Sequence, residues 1–333
     1  VYNIDEDSMF LGHVAPVLLA GAANNTALGS RALISVKAGS DNVAAGTNAL
    51  SNLVSGQRNV GVGYTALYNL SSGTDNVGVG SEALSALTTG SFNVAVGINA
   101  ADNTISNNNI AIGYGALQHN RTEGSNVAIG MNALNKGDEG AGTSASNTAV
   151  GTSAGFQSGN TGDSSDNIYL GEYSGASHNE GIDNVFIGSK VSYNAVPDEL
   201  HAGSKNVVIG ANAQLCAGAD LAARASDCNP LAVSKGINRI VIGEGATSLG
   251  DNTAVIGNSD ITKLYVAEDG QGVLYADASI NSSDQRIKEN IADIDYGLEY
   301  LMSLRPVSYD RKSPSDYPQE LKDKFYPNGA VPD

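Results

Sequence analysis

Apolar and polar residues alternate along this chain in short bursts, and the bursts recur. One five-residue phrase (Asn, aliphatic, small, aliphatic, Gly) reads Asn42-Val43-Ala44-Ala45-Gly46, Asn59-Val60-Gly61-Val62-Gly63, Asn76-Val77-Gly78-Val79-Gly80 and Asn93-Val94-Ala95-Val96-Gly97. Val60 and Val62 share one side of the phrase, and Asn59, Gly61 and Gly63 share the other, which is the period-two pattern of a strand. The closing glycines stand at Gly29, Gly46, Gly63, Gly80, Gly97, Gly113, Gly130, Gly151, Gly171, Gly188, Gly210, Gly243 and Gly257, with first steps of 17, 17, 17, 17, 16 and 17 residues. A fixed period with fixed chemistry predicts a solenoid, each turn burying its apolar side against the next. A second stretch, such as Tyr64-Thr65-Ala66-Leu67, precedes a polar link, Ser71-Ser72-Gly73-Thr74-Asp75. Each period therefore reads as two short strands and two turns, one flat coil of a parallel β-roll. Coils stacked at about 4.8 Å make a rod roughly 60 Å long.

Each slot carries a physical expectation. The residue before the closing glycine is aliphatic, as in Leu28, Val62, Val79, Val96, Ile112 and Ile129, which predicts one stacked hydrophobic spine. The leading asparagines, including Asn25, Asn109, Asn126, Asn147, Asn167, Asn184 and Asn206, either form a coil-to-coil amide ladder or suit the preceding turn. The closing glycine either adopts a backbone conformation closed to other residues or permits close approach. Two slots hold small residues. Two before the glycine stand Ala27, Ala44, Gly61, Gly78 and Ala95, giving way later to Tyr169, Phe186, Val208, Val241 and Val255; three after it stand Ala32 through Ala154, lapsing at Ser174 and Val191. These two small-residue faces predict close lateral approach of further chains, tight to about residue 155 and wider or rearranged beyond it.

Composition narrows the function. A chain of 333 residues could hold two or more ordinary domains, but a solenoid has no single core to outgrow. A net charge of -17, from 35 acidic and 18 basic residues, argues against a nucleic-acid partner. The apolar run Val14 to Ala23 is too short to cross a bilayer and lacks the basic flank of a signal peptide, so no membrane insertion is expected. Cys216 and Cys228 both fall in the 33-residue gap between Gly210 and Gly243. They are a candidate disulfide stapling an inserted loop, or two unrelated thiols. There is no HExxH, Walker loop or CxxC pair. Asp163-Ser164-Ser165-Asp166 lacks the spacing of an EF-hand or a calcium-binding roll. Neither cofactor nor metal is expected. His13, His119, His178 and His201 are scattered and read as solvated loop residues. Tyr64 and Tyr114 share one slot, and Tyr68, Tyr169, Tyr173 and Tyr193 are further aromatic candidates; exposed aromatics either pack between chains or stack on sugar rings.

The Asn-Val-x-Val-Gly-x-x-Ala-Leu repeats resemble the heads of YadA-like trimeric adhesins and, equally, repeats in phage tail fibres and bacterial surface fibres. The resemblance covers about residues 24–257 and implies an all-β, left-handed parallel β-roll with three chains to a rod. After Gly257 the stretch Lys263 to Ile280 reads as a few strands. Then Ser282-Ser283-Asp284-Gln285-Arg286-Ile287-Lys288-Glu289-Asn290-Ile291 and Leu304-Arg305-Pro306-Val307-Ser308-Tyr309 are similar to the opening of the intramolecular chaperone domain of phage tail spikes and endosialidase fibres. That resemblance implies a domain that drives trimerisation and then cuts itself off with a Ser–Lys pair. The matching positions are Ser283 and Lys288, with Asp284 shaping the turn. Read from the residues alone, Ile287, Ile291, Ile294, Leu298 and Leu301 step by 4, 3, 4 and 3, the seam of a short coiled coil or core-facing helix. Ser283 then sits where an N-cap would.

The resulting expectation is a connector over 1–23, β-roll repeats over 24–260, a β neck over 261–282 and the truncated start of the chaperone over 283–333. The chain is expected to be a homotrimeric shaft or head of a phage tail fibre, located in the virion or at a cell surface, and to bind a cell-surface glycan or protein receptor. A bacterial surface adhesin or extracellular filament is the alternative. A glycan depolymerase would need clustered carboxylates in one groove, which these residues do not assemble. Self-cleavage is the one enzymatic activity the resemblance implies.

Overall fold

The structure is a computed structural model and describes residues 2–3, 8–12, 22–120, 124–136, 144–159, 163–193, 201–215, 235–262, 264 and 314–325. The chain divides into two units, Val1–Leu264 and Tyr265–Asp333. In the first, fifteen strands form one sheet whose order follows the chain. Successive strands are parallel and in register, as in Val60↔Val77, Gly61↔Gly78 and Val62↔Val79. The fold is an all-β parallel β-solenoid. In the second unit the described residues form a 3-10 turn, Pro314–Asp316, and a short helix, Gln319–Phe325. Pro318 lies immediately before that helix and Glu320 in its first turn, both favourable at an N-terminus.

The stack begins one coil before Gly29. Ser8-Met9-Phe10-Leu11-Gly12 repeats the phrase with serine in the leading slot, and Met9–Leu11 pairs in parallel with Thr26–Leu28. Tyr2–Asn3 then pairs antiparallel with Met9–Leu11. That pairing covers the first coil, whose edge would otherwise offer a template to other chains.

Each coil holds one strand of three residues in this sheet, where two strands were expected; among the described residues a second strand forms in later coils, where His178–Glu180, His201–Ser204 and Lys235–Ile237 pair into a separate parallel sheet. The stretch Tyr64-Thr65-Ala66-Leu67 is a turn run, because Thr65 and Leu67 take positive φ of 52° and 54°. Leucines at this slot, four after the closing glycine, repeat the conformation: Leu33, Leu50, Leu67, Leu84, Leu117 and Leu134 have φ between 48° and 55°. A left-handed leucine costs roughly 1–2 kcal/mol. Two local gains offset it. The side chain is fully buried, and the backbone bonds to the next coil, as in Leu50 N–H donating to Ala66 O at 3.0 Å. The closing glycines satisfy both expectations. Gly63 has φ of 139°, and a Cβ there would lie 2.2 Å from the carbonyl oxygen of Gly80.

The alternation within each strand is present, but its sides are the reverse of what residue size implies. The small central residue and the asparagine point inward, and the flanking aliphatics point outward. Ala44, Ala95, Ala111 and Ala128 have no exposed surface, and neither do Ala49, Ala66 and Ala83 in the other small slot. The small residues therefore line the interior of one chain and form no face for a neighbour, contrary to expectation. They are small because two leucines from the turn run, such as Leu50 and Leu53, fill the thin coil.

From about residue 155 this arrangement inverts. Tyr169 and Phe186 occupy the strand centre, and Gly155 and Gly175 replace the turn leucine. A Cβ on Gly155 would lie 2.7 Å from the Tyr169 ring, and one on Gly175 2.3 Å from the same ring. The ring fills from the strand side the space that leucine fills from the turn side, so the switch at Tyr169 conserves core volume instead of opening a wider rod.

The leading asparagines do form a ladder. Asn59 N–H and Nδ2–H both donate to Asn42 Oδ1 at 3.0 Å, and Asn76 repeats this on Asn59 at 3.1 and 2.9 Å. The same amide also serves the turn, since Asn59 Nδ2 donates to Gly73 O at 2.8 Å. That carbonyl belongs to the next coil's turn; a bond to the asparagine's own preceding turn is made at Asn93, whose Nδ2 donates to Ser91 O at 3.3 Å. The ladder starts at Ser8, whose Oγ accepts from Asn25 N–H, and ends at Arg239, whose N–H donates to Asn206 Oδ1 at 3.0 Å.

Candidate assembly interface

Because the strand centre points inward, most strands present two flanking aliphatics on the outer face of the sheet, with Thr26 and Thr148 as polar exceptions. One column runs through Val43, Ile110, Ile168 and Ile240, at 38–40% exposure. The other runs through Val62, Val96, Ile112, Ile129, Val150 and Ile242, at 36–38%. In-register pairing keeps both columns straight along the sheet. At about 4.8 Å per strand they form an apolar band about 60 Å long. A contiguous band of that extent marks an interaction surface, whereas isolated exposed aliphatics would not. The spine expected from the sequence therefore exists, but it lies outside the single chain.

The two margins of the band differ. On one side the residue after the closing glycine widens it: Tyr64, Ile98, Tyr114 and Met131 are 50–55% exposed. Ile98, Tyr114 and Met131 sit on successive coils, so the aromatic slot shared by Tyr64 and Tyr114 adjoins the band. On the other side the residue before the asparagine is mostly polar, including Asp41, Arg58, Asp75, Asp166, Asp183 and Lys205, all at positive φ. Arg58 and Asp75 form a two-pronged ion pair, Nε–Oδ1 2.6 Å and Nη2–Oδ2 2.8 Å. That hydrogen bond and charge raise Arg58 above its ordinary pKa and hold Asp75 below the usual carboxylate range. Both groups are in solvent, so the pair fixes side-chain positions at the margin and adds little stability.

Ser283, Asp284, Lys288 and the seam from Ile287 to Leu301 lie outside the described residues, as do Cys216 and Cys228. Ser164, in the acidic turn, points into the core and is fully buried. Among the described residues no three His, Cys, Asp or Glu side chains group as metal ligands, and no helix is long and apolar enough to cross a membrane. His178 corrects the expectation of a solvated loop residue: it is 1% exposed, on the strand His178–Glu180. The signal was present in the frame. His178 stands seven residues after Gly171, the slot that holds Leu53, Leu70 and Leu87 after their own glycines.

A family model from a peptidase family, described as "Chaperone of endosialidase", matches residues 283–324, a short C-terminal part of the 333-residue chain. No curated protein matches the chain. No solved structure matches it either.

Proposed function

We propose that this chain is the structural shaft of a homotrimeric fibre, three rolls packing through their aliphatic sheet faces, with the C-terminal segment directing assembly. The observation that carries the reading is the apolar band. The interior of the roll is already filled by alanine, leucine and asparagine, so the band is surplus to the monomer's own core. Three copies meeting along it would bury both columns over the length of the stack. The matched chaperone segment adds a second support, because the resemblance to that family implies trimer formation. The adhesive role belongs to the same reading: the margins and outer turns of the rod face a cell-surface glycan or protein receptor, in a phage tail fibre or a related surface appendage. Sedimentation equilibrium of the intact chain tests the assembly. A mass three times the chain's 34.0 kDa is expected, and a single-chain mass at micromolar concentration would overturn it.

We further propose that Ser283 and Lys288 sever the chain beside Ser283 once the complete chaperone domain has folded. The Ser283 hydroxyl adds to the neighbouring peptide carbonyl while the Lys288 amine takes its proton, and water releases a new carboxyl and a new amine. The net reaction is hydrolysis of one peptide bond. A lysine acts as base at neutral pH when burial lowers its pKa. The family match begins at Ser283, which supports the assignment. Mass spectrometry of a chain carrying the complete domain should show two fragments for the wild type. Ser283→Ala and Lys288→Ala should each leave one intact chain. A cut Ser283→Ala chain would return Ser283 to helix capping.

A further inference from the structure

The interior of the roll is mostly apolar apart from the asparagine ladder, with Thr104 and Asn120 as single buried polar residues, until the coils between Gly151 and Gly210. There a line of buried polar side chains crosses it. Ser158 Oγ lies 2.6 Å from Ser164 Oγ and 3.3 Å from the Tyr169 hydroxyl; the hydroxyl lies 2.9 Å from His178 Nδ1; and His178 Nε2 lies 3.2 Å from Gly203 O. Each of these side chains is at most 1% exposed. That burial excludes a nucleophilic serine site, since no substrate reaches it.

The geometry fixes the direction of every proton in the line. A carbonyl oxygen only accepts, so His178 Nε2 carries the hydrogen given to Gly203 O. In the neutral ring Nδ1 is then the acceptor, and the Tyr169 hydroxyl donates to it. Tyr169 accepts from Ser158 in turn, and Ser158 from Ser164. Ser164 Oγ also accepts from Asn167 Nδ2 at 3.1 Å. The Asn184 Nδ2 group closes the line at its far end, donating to Gly203 O at 2.7 Å. The line is a one-way chain of donors running from the ladder, through the core, and back to the ladder's turn carbonyl. Burial pushes the Tyr169 hydroxyl up to about 12, so it stays a donor.

We propose that His178 is an acid-sensitive latch: the coils between Gly151 and Gly210 are locked while its ring is neutral and loosen when the ring takes a second proton. Protonation puts a hydrogen on Nδ1, facing the Tyr169 hydroxyl hydrogen. Relief requires all three hydroxyls to reverse, and the Ser164 hydrogen would then lose Ser158 as its acceptor. The unfolded chain binds the same proton freely. The folded form therefore loses stability as pH falls below the ordinary histidine range near ~6.5.

The groups around the ring bear on this. Tyr169 faces it from one strand. Phe186 faces it from the next, edge-on with centroids 5.2 Å apart. On its own strand Glu180 is half-exposed, and Asp163 across the turn is exposed. His201 stands opposite His178 in backbone register on the neighbouring strand.

Amide hydrogen exchange of the intact chain, corrected for the intrinsic pH dependence, tests the latch with an internal reference. From about pH 7.5 to about pH 5, protection of Ile168–Leu170 and Val185–Ile187 should fall about tenfold or more relative to Val60–Val62 and Val77–Val79. His178→Leu, which restores the residue of the equivalent slots, should remove that difference. Nitrogen NMR of the wild-type imidazole should show the Nε2–H tautomer at neutral pH, independently of any variant. Equal protection of both regions at the two pH values, or an Nδ1–H tautomer, would overturn the proposal.

Discussion

The coils from Asn25 to Leu134 and those from Asn147 to Gly210 share one strand register and one asparagine ladder, yet they fill their cores from opposite sides. In the first region small residues sit at the strand centre and leucine comes in from the turn. In the second, Tyr169 and Phe186 come in from the strand and glycine stands in the turn. The difference teaches that the repeat specifies backbone hydrogen bonding and total core volume, and leaves open which element supplies the volume. It also changes chemistry, because the slot of Leu53, Leu70 and Leu87 becomes Ser158 and His178 in the second region. Thr104 and Asn120 already bring single polar groups into that slot in the first region, but a connected line forms beside Tyr169, whose ring supplies the bulk and whose hydroxyl supplies the partner.

The largest expected break in this comparison is a ring deletion. Phe186→Ala leaves a cavity beside Gly175 that nothing nearby fills, and should cost about 3–5 kcal/mol in denaturant unfolding. The mirror test overfills the first region. Ala95→Phe places a ring where Leu84 already occupies the thin coil, and should cost about 1–3 kcal/mol or more. Its origin is the core of one chain, so destabilisation should appear even under conditions where chains do not associate.

A double-mutant cycle sharpens the comparison further. Tyr169→Ala and Gly155→Leu should each destabilise, while together they rebuild the coil of the first region. Their coupling should offset by about 1–3 kcal/mol, and simple additivity would show that volume exchange is not what relates the two regions.

How much of this was legible in the sequence follows from the same packing. The period, the parallel stack and the one-coil phrase could be read because glycine and asparagine recur where the backbone requires them. The inside and the outside could not be assigned that way. Alternation of Val60, Gly61 and Val62 defines two sides, and bulky aliphatics usually mark the buried one. Here the interior is so thin that Leu50 and Leu53 fill it, leaving room for only an alanine or glycine from the strand. The aliphatic side is therefore the outer one. At the stretch Tyr64 to Leu67 and its repeats the second expected strand failed for a local reason, the left-handed leucines, which no propensity scale favours. Residue type alone places His178 in solvent, whereas its slot, seven after Gly171, places it in the core.

The smallest expected effect lies where the ladder ends. Arg239 replaces the asparagine, and its side chain meets Asp251, Nη2–Oδ1 2.7 Å. The Ile237 backbone N–H and then Arg239 hold Asp251 below the usual carboxylate range. A lowered folded value means that the contribution is present above the unfolded carboxylate range near ~3.9 and is lost as pH falls through the folded value. Asp251 is largely in solvent, so Asp251→Asn should cost under about 1 kcal/mol at neutral pH, with the difference from wild type vanishing in strong acid.

The central claim is that the outward aliphatic band, and not the small-residue interior, joins the chains. Sedimentation equilibrium of Ile112→Asp, beside Thr89→Asp as a control at an exposed turn position, tests it most directly. The account predicts that Thr89→Asp keeps a trimer mass, while Ile112→Asp sediments as a single chain and retains the β-type circular dichroism of the wild type. An Ile112→Asp chain that still sediments as a trimer would contradict it.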